Sequence, residues 1–321
     1  MAKRPRIVVI GGGTGTYTAL MGLKRYDADL TAIVSMADDG GSSGVLRDEF
    51  GHLPPGDVRR CLLALSAEPA AGTLRTLFEY RFERGSWLNG HSFGNLLLTA
   101  LTEITGAPDL AIQEAANILN VKGRVLPVTL DNVELCARLE DGTVIHGETH
   151  IDVRRVRPDL RITEVYLTPR AQAYPPAVEA ILAADLVVVG PGDLFTSVIP
   201  NLLVEGIPEA IRNTRGRVAY VCNLMTKRGE TDGYKASDFL REVQRYLGGA
   251  EAVDVMLVNQ EPAPQEILGE YGQEGSYPVE TDVATCARTV PQVICKDFAT
   301  AGTLWRHDSI ALAEAVIGLT V

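Results

Sequence analysis

Two glycine-rich stretches are the parts of this sequence best suited to holding an anion. They are Gly11-Gly-Gly-Thr-Gly15 and Gly190-Pro-Gly-Asp-Leu-Phe-Thr-Ser197, and each lies between an apolar run and a stretch with helical spacing. Backbone N–H groups in such loops can approach a phosphate, and the N-terminus of the following helix adds a favourable dipole. Two junctions of this kind predict a site for a nucleotide or a phosphorylated substrate. The candidate binding residues of the two loops are Gly11, Gly12, Gly13, Thr14, Gly15, Gly190, Gly192 and Thr196.

The first loop departs from the known nucleotide-binding fingerprints. Thr16 or Thr18 stands where the last glycine of GxGxxG would lie, and the loop has no P-loop lysine. A tight structural turn is therefore one alternative for this loop. Binding of NAD through Gly13 and Asp38 is another, weaker one, because no set of residues for hydride transfer is apparent.

Two adjacent carboxylates follow the second predicted strand, in Ala37-Asp-Asp-Gly-Gly-Ser-Ser-Gly44. One of them can bond to a ribose hydroxyl, or both can hold a hydrated Mg²⁺ through oxygen ligands. A solvated turn is the structural alternative, since Asp and Gly are common turn residues. We expect Asp38 and Asp39 to be functional, as catalytic and Mg²⁺-binding groups if the protein is a transferase. Mg²⁺ is the one cofactor that the sequence suggests.

Further polar residues stand near predicted strand ends and helix starts. Asp57 is expected to cap the helix that begins at Val58, and Ser92 is expected to cap the helix after it. A lone histidine is more often structural, so the role of His91 is left open. The other candidates for the ligand site are Ser42, Ser43, His91, Asn95, Asn223, Thr226 and Arg306.

Alternating strands and helices must position these groups. Continuous apolar runs predict buried parallel strands at 6–10, 31–36, 186–189, 218–222, 255–258 and 293–295. Helical spacing predicts a helical cap at about 57–120, and a period of two predicts a small β insertion at about 124–168. This order is typical of an α/β protein with an open, doubly wound, mostly parallel sheet. We expect one domain over 1–321.

Charge and composition exclude several classes of function. The chain of 321 residues has 41 acidic and 30 basic side chains, a net charge of −11, so nucleic acid is not an expected partner. No run reaches the roughly 18 apolar residues of a membrane span, and no signal peptide is apparent, so a cytoplasmic protein is expected. The 5 cysteines are never spaced as CxxC, so neither a disulfide framework nor a zinc site is predicted. The oligomeric state is left open, and a homo-oligomer is compatible with the sequence.

A set of motifs carries a resemblance to a known family. The motifs are GGGTG at 11–15, ADDGGSSG at 37–44, PPGD at 54–57, GHSFGN at 90–95, GPGDLFTS at 190–197, CNLMT at 222–226, GETDGY at 229–234 and RHD at 306–308. In this order they resemble the gluconeogenesis factors of the YvcK type, within the 2-phospho-L-lactate transferase-like (CofD-like) family. The resemblance covers residues 6–320 and implies a Rossmann-like, three-layer fold.

The resemblance also implies two alternative activities. One is binding of a UDP-sugar such as UDP-N-acetylglucosamine by a cytoplasmic protein needed for cell shape and growth on gluconeogenic carbon sources. The other is transfer of a phospholactyl group from a guanylylated donor to a deazaflavin precursor, with the Asp38-Asp39 pair near the acceptor. The family pattern assigns Tyr271 and Arg306 to the sugar nucleotide. The chain departs from it at Asp193 and Phe195, where Ser and Tyr are common, and a carboxylate at 193 would repel a diphosphate unless turned away or bridged by a metal.

Overall fold

The computed structural model describes residues 4–67, 72–301 and 304–320. Residues 68–71 of the expected helical cap lie outside this part, as do residues 1–3, 302–303 and 321 of the expected single domain. Within the described residues, no helix has the length and apolar character that crossing a membrane requires.

A parallel sheet of seven strands forms the centre of the described part of the chain. Its strands are β1 (Arg6–Gly11), β2 (Asp29–Val34), β3 (Arg124–Pro127), β7 (Leu186–Val189), β8 (Arg217–Val221), β9 (Val255–Asn259) and β10 (Gln292–Lys296). They lie in the order β10-β9-β8-β7-β1-β2-β3, and each neighbouring pair is parallel. The predicted doubly wound α/β fold is confirmed.

The sheet has a hydrophobic core on each face, as β1 illustrates. Side chains alternate across a strand, so Ile7 and Val9 enter one core while Val8 and Ile10 enter the other. All four are at most 2% exposed. Because both faces are covered by other elements, the strands read as continuous apolar runs.

Two groups of helices cover these faces. The core that contains Ile7 is closed by α1 (Gly13–Leu23), α3 (Gly56–Leu65), α4 (Thr73–Glu79), α5 (Phe93–Thr105), α6 (Pro108–Ile118) and α14 (Ser309–Ile317). The opposite core is closed by α8 (Pro175–Ala183), α9 (Ile199–Leu202), α10 (Ile207–Arg212), α11 (Ala236–Leu247) and α13 (Val283–Cys286). A π-helical turn at Leu194–Val198 leads into α9.

The β insertion is shorter than the expected range of 124–168. Residues Arg124–Pro127 pair in parallel with β2 and form the edge strand β3 of the central sheet. The separate antiparallel sheet contains β4 (Glu134–Leu139), β5 (Val144–His146) and β6 (Ile162–Thr168), in the order β5-β4-β6. The prediction that residues 124–127 belong to the β insertion was wrong, because a short apolar run has the same sequence pattern in a parallel and in an antiparallel sheet.

The remaining elements lie at the loops that follow the strands. The stretch after β2, for which the sequence left a solvated turn as the structural alternative, contains the helix α2 (Gly41–Phe50), which ends at Gly51 in the left-handed conformation with φ 71°. Glycine and serine have low helix propensity, so the sequence pattern did not indicate this helix. The others are α7 (Glu148–Asp152), α12 (Gln265–Gln273) and the antiparallel pair β11 (Ala299–Ala301) and β12 (Trp305–His307).

Candidate functional site: a polar cleft at the switch point of the sheet

A cleft opens beyond the carboxyl ends of β1 and β7. β1 pairs with β2 on one side and with β7 on the other, and β8 to β10 continue the sheet outward from β7. The direction of chain progression therefore reverses between β1 and β7, which is where doubly wound sheets bind ligands. The cleft has a volume of about 690 Å³. This volume falls within the range of small-molecule and cofactor sites.

The structure brings most of the predicted site residues to this cleft. Those that line it are Gly13, Thr14, Gly15, Asp38, Ser42, Ser43, Asn95, Gly192, Thr196, Asn223, Thr226, Tyr271 and Arg306. Of the predicted residues, all of which are described, the ones that do not line it are Gly11, Gly12, Asp39, His91 and Gly190. These five support the lining residues from behind or end the strands.

The glycines allow the two loops to pack directly on each other. A Cβ on Gly15 would lie 2.4 Å from the carbonyl oxygen of Pro191, and one on Gly11 would lie 2.4 Å from the Thr16 hydroxyl. The Thr16 hydroxyl in turn donates a hydrogen bond to the Pro191 carbonyl at 3.4 Å. Thr16, which breaks the dinucleotide fingerprint, therefore joins the β1–α1 loop to the β7 loop. The glycines therefore have a structural role, because they allow the two loops to pack closely. The first residues of α1 also line the cleft.

Asp57 caps a different helix from the one expected. Its own helix α3 begins at Gly56 after Pro55 and has no side-chain cap. The Asp57 carboxylate instead accepts a hydrogen bond from the backbone N–H of Gly13, the first residue of α1, at 2.9 Å. Burial and the negative charge of Asp38 raise the pKa of Asp57 to about 6. The expectation for Asp57 was wrong because the partner lies 44 residues away and only the folded chain brings it close.

The two adjacent carboxylates after β2 point in different directions. Asp38 lines the cleft and its Oδ1 accepts the N–H of Gly40 at 2.9 Å. Asp39 accepts the N–H of Thr149 in the first turn of α7 at 2.8 Å. Asp39 therefore anchors the β insertion to the β2 loop. Asp38 lies beside the residue before Asp57, since its Oδ2 is 2.3 Å from where a Cβ on Gly56 would stand. Its negative charge adds to burial in raising the pKa of Asp57.

A largely buried polar network links α2 to α5 at the wall of the cleft. The side-chain amide of Asn95 donates to the Ser42 hydroxyl at 3.2 Å and to the Ser43 hydroxyl at 3.5 Å. Nδ1 of His91 lies 3.0 Å from the Ser42 hydroxyl, and Arg59 Nε donates to the side-chain Oδ1 of Asn95 at 2.9 Å. The expected helix cap is confirmed, since the Ser92 hydroxyl accepts the N–H of Asn95 at 3.2 Å. His91 positions Ser42 rather than facing the cleft.

Lys227, which the sequence analysis missed, neutralises carboxylates on the far side of the cleft. Its ammonium lies 2.7 Å from Asp193 and 3.3 Å from Glu230, and it also contacts Asp152. Burial lowers the pKa of Lys227, but the attraction of Glu230, Asp193 and Asp152 outweighs burial and raises it above its ordinary value. The departure from the family pattern at Asp193 is thereby explained, because that carboxylate is turned to a lysine. The polar sequence at 229–233 indicated a polar segment here, but it did not identify the carboxylates that pair with Lys227.

Two carboxyl groups have raised pKa values, Glu148 in the lining of the cleft and the fully buried Glu230 beside Lys227. Burial, with the nearby charges of Asp152 and Asp38, raises the pKa of Glu148 to about 9. Burial raises the pKa of Glu230 to about 8, although Lys227 opposes the shift. Four arginines also line the cleft: Arg59, Arg60, Arg81 and Arg306. The cleft of this acidic protein is therefore less negative than its count of carboxyl groups indicates.

The segments after β8, β9 and β10 complete the wall. The side-chain amide of Asn223 donates to the Gly192 carbonyl at 2.8 Å, while its Oδ1 is buried with no partner among the described residues. Thr226 exchanges two hydrogen bonds with the backbone of Tyr277, at 2.7 and 3.0 Å. Tyr271 of α12 and the exposed Arg306 of β12 face the cleft from the opposite rim. Asp308 caps α14, since its carboxylate accepts two of the first N–H groups of that helix.

Fold and cleft define a doubly wound α/β protein with a polar cleft at its switch point. The family model for 2-phospho-L-lactate transferase CofD matches residues 7–299. The chain belongs to this CofD family. The gluconeogenesis factor of Bacillus subtilis (strain 168) is 41% identical over 324 residues, covering 99% of each protein.

Two further comparisons agree with this assignment. A crystal structure of a UPF0052 family protein from Bacillus halodurans superposes with a TM-score of 0.92 at 43% identity, covering 99% of this chain and 100% of that one. A relative from Nostoc sp. is 48% identical over 281 residues, which are 87% of this chain. The match spans only 60% of the Nostoc relative's length.

Proposed function

We propose that the chain is a gluconeogenesis factor whose cleft binds a sugar nucleotide of the UDP-N-acetylglucosamine type. In this proposal it acts in the cytoplasm and is needed for cell shape and for growth on gluconeogenic carbon sources. The observation that carries the proposal is the meeting of the two glycine loops at the start of α1, beneath a cleft of about 690 Å³. The relatives named gluconeogenesis factor support the biological part.

The start of α1 is the proposed position of the diphosphate. N–H groups in the first turn of a helix have no acceptor within the helix, and Asp57 takes only that of Gly13. A guanidinium nitrogen of Arg60 lies 3.9 Å from where a Cβ on Gly13 would stand, so a cation is beside this turn. Backbone donors, the helix dipole and arginine together favour phosphate oxygens.

The outer part of the cleft is the proposed position of the uridine and the sugar. Tyr271 offers an aromatic face for a base, and Arg306 offers a planar set of donors. The buried Oδ1 of Asn223 needs a hydrogen-bond donor, which a sugar hydroxyl or an amide can supply. Glu148 lines the cleft with a raised pKa, so its protonated carboxyl group can donate to the sugar without repelling the diphosphate.

Ligand-dependent thermal unfolding tests this proposal. A ligand that binds only the folded state raises the melting temperature as its concentration rises. UDP-N-acetylglucosamine should raise it more than UDP, and free N-acetylglucosamine should have little effect because it lacks the diphosphate. Equal melting temperatures with and without millimolar UDP-N-acetylglucosamine would overturn the proposal.

A transferase that requires Mg²⁺ is the second candidate, and the closeness of Asp38 and Asp57 in the lining of the cleft favours it. The charge of Asp38 raises the pKa of Asp57, so a cation between the two carboxylates would relieve their repulsion. Asp38 and Asp57 fit a hydrated Mg²⁺ beside the phosphates, whereas Asp39 is held at α7. The ion would supply charge neutralisation at the phosphates when bound.

Product formation separates this candidate from the binding protein. Incubation with a guanylylated phospholactate, a deazaflavin acceptor and Mg²⁺ should yield the phospholactyl product if the chain is a transferase. Asp38→Asn should then abolish turnover without unfolding the protein. Absence of product from a folded sample that binds the sugar nucleotide would reject the transferase.

A further inference from the structure

Three potential metal ligands converge on the outer face of the small antiparallel sheet. Glu134 and Cys136 are two residues apart on β4 and therefore point to the same face. His146 on β5 is the direct cross-strand partner of Cys136. Leu135 and Ala137, which alternate with them, are buried in the core on the other face. None of the three residues is among those that line the cleft.

The distances among the three ligand atoms match tetrahedral zinc coordination. Sγ of Cys136 lies 3.4 Å from Nδ1 of His146 and 3.9 Å from Oε2 of Glu134, and that Nδ1 lies 3.0 Å from that Oε2. With ordinary zinc bond lengths, tetrahedral geometry separates sulfur and nitrogen by about 3.5 Å, sulfur and oxygen by about 3.6 Å, and nitrogen and oxygen by about 3.4 Å. Each observed distance is within about half an ångström of the ideal one.

Two other interpretations of the cluster fit less well. A catalytic triad would place the sulfur and the carboxylate on different nitrogens of the imidazole, with the carboxylate orienting the ring. Here both atoms lie at the same nitrogen, Nδ1, which can donate only one proton. A surface ion pair between His146 and Glu134 accounts for one contact, but it gives no reason for the buried thiol of Cys136 to share the same nitrogen.

We propose that Cys136, His146 and Glu134 form a Zn²⁺ site, with a water molecule completing the coordination. A thiolate, an imidazole and a carboxylate together suit zinc and do not suit Mg²⁺ or Ca²⁺, which bind oxygen ligands. His146 is exposed, with 62% of its side chain accessible, so the open position faces solvent. The cysteine spacing along the chain did not predict the site, because its ligands come from two neighbouring strands.

Cobalt(II) replaces zinc in such sites and reports a sulfur ligand through a charge-transfer band in the near ultraviolet. We expect the metal-free protein to develop this band with one equivalent of cobalt(II), and one equivalent of Zn²⁺ to abolish it. Cys136→Ser should remove the band, while Cys295→Ser, which changes a half-buried thiol on β10, should leave it intact. Circular dichroism establishes that each variant is folded.

His146→Ala gives a second, independent variant, because substitution of an exposed side chain usually changes stability little. Loss of a direct ligand should weaken zinc binding by more than the roughly 10- to 100-fold that loss of an outer partner costs. No band in the native protein, a band that persists in Cys136→Ser, or a zinc affinity unchanged in His146→Ala would each overturn the proposal.

Discussion

The carboxylate of Asp57 accepts the backbone N–H of Gly13 at 2.9 Å, so a side chain of α3 caps the first turn of α1. The bond fixes the start of α1 against the floor of the cleft. A Cβ on Gly12 would lie 2.3 Å from the same carboxylate, so the glycine loop and Asp57 are fitted to each other. Asp57 therefore packs against the glycine loop and also places a titrating carboxylate in the cleft.

The contribution of the Asp57 cap to the free energy of unfolding can be separated from the effect of the Asp57 charge by comparing two variants. Asp57→Asn and Asp57→Ala both remove the charge beside Asp38, but only asparagine retains an oxygen that can accept the Gly13 N–H. Asp57→Ala should be less stable than Asp57→Asn by about 1 kcal/mol, the usual contribution of a cap. Urea denaturation measures the difference. Equal stability of the two variants would show that the hydrogen bond is not a cap.

Gly15→Ala should disrupt the contact between the two glycine loops. The new Cβ would stand 2.4 Å from the Pro191 carbonyl oxygen, a backbone atom that cannot move alone. We expect a loss of about 1–3 kcal/mol in the free energy of unfolding and weaker binding of the sugar nucleotide. Gly269→Ala is the control, because no atom outside the neighbouring residues and backbone of its own helix lies within 4 Å of its added Cβ. That variant should be as stable as the native chain or more so, and equal effects at both positions would contradict the packing argument.

Arg306→Ala should weaken binding of UDP-N-acetylglucosamine by about tenfold or more, as expected for loss of a charged hydrogen bond. Arg306 is exposed at the rim, so its removal should leave the melting temperature unchanged. Arg170→Ala is the matched control, since that side chain is 89% exposed and does not line the cleft. A native dissociation constant in Arg306→Ala, measured by calorimetry, would exclude Arg306 from the site.

The raised pKa of Glu230 should make the free energy of unfolding fall as the pH rises. Its pKa is raised from 4.5 to about 8 in the folded chain, so the folded state holds a proton that the unfolded state releases. The stabilisation is complete below pH 4.5 and is lost progressively as the pH approaches 8. A shift of this size corresponds to a few kcal/mol, on the order of 1.4 kcal/mol for each pKa unit.

Glu230→Gln removes the titrating proton and leaves Lys227 with Asp152 and Asp193. The free energy of unfolding, measured from pH 4.5 to pH 8 with urea, should fall less steeply in this variant than in the native chain. Parallel curves for the two proteins would contradict the raised pKa of Glu230.

The sequence predicted the sheet and the loops of the cleft because both depend on local pattern. Gly15, Asn95 and Thr196 follow strands or begin helices, and parallel strands bring their ends to one edge. Strand β3 was assigned to the wrong sheet because strand pairing depends on distant partners rather than on the run itself.

The charges of the site were less predictable. Glu148 lies in the β insertion, and its place at the cleft depends on how that insertion folds back on the central sheet. Lys227 is surrounded by carboxylates from three different segments, none of which identifies the others in sequence. Adjacent residues also diverge, as Asp38 faces the cleft while Asp39 caps α7.

Isothermal titration of the native chain with UDP-N-acetylglucosamine tests the central claim most directly. The cleft at the β1–β7 switch point predicts saturable binding with one ligand per chain, weakened by Arg306→Ala and by Gly15→Ala. Absence of heat at millimolar ligand from a folded sample, or binding that is unchanged in both variants, would contradict it.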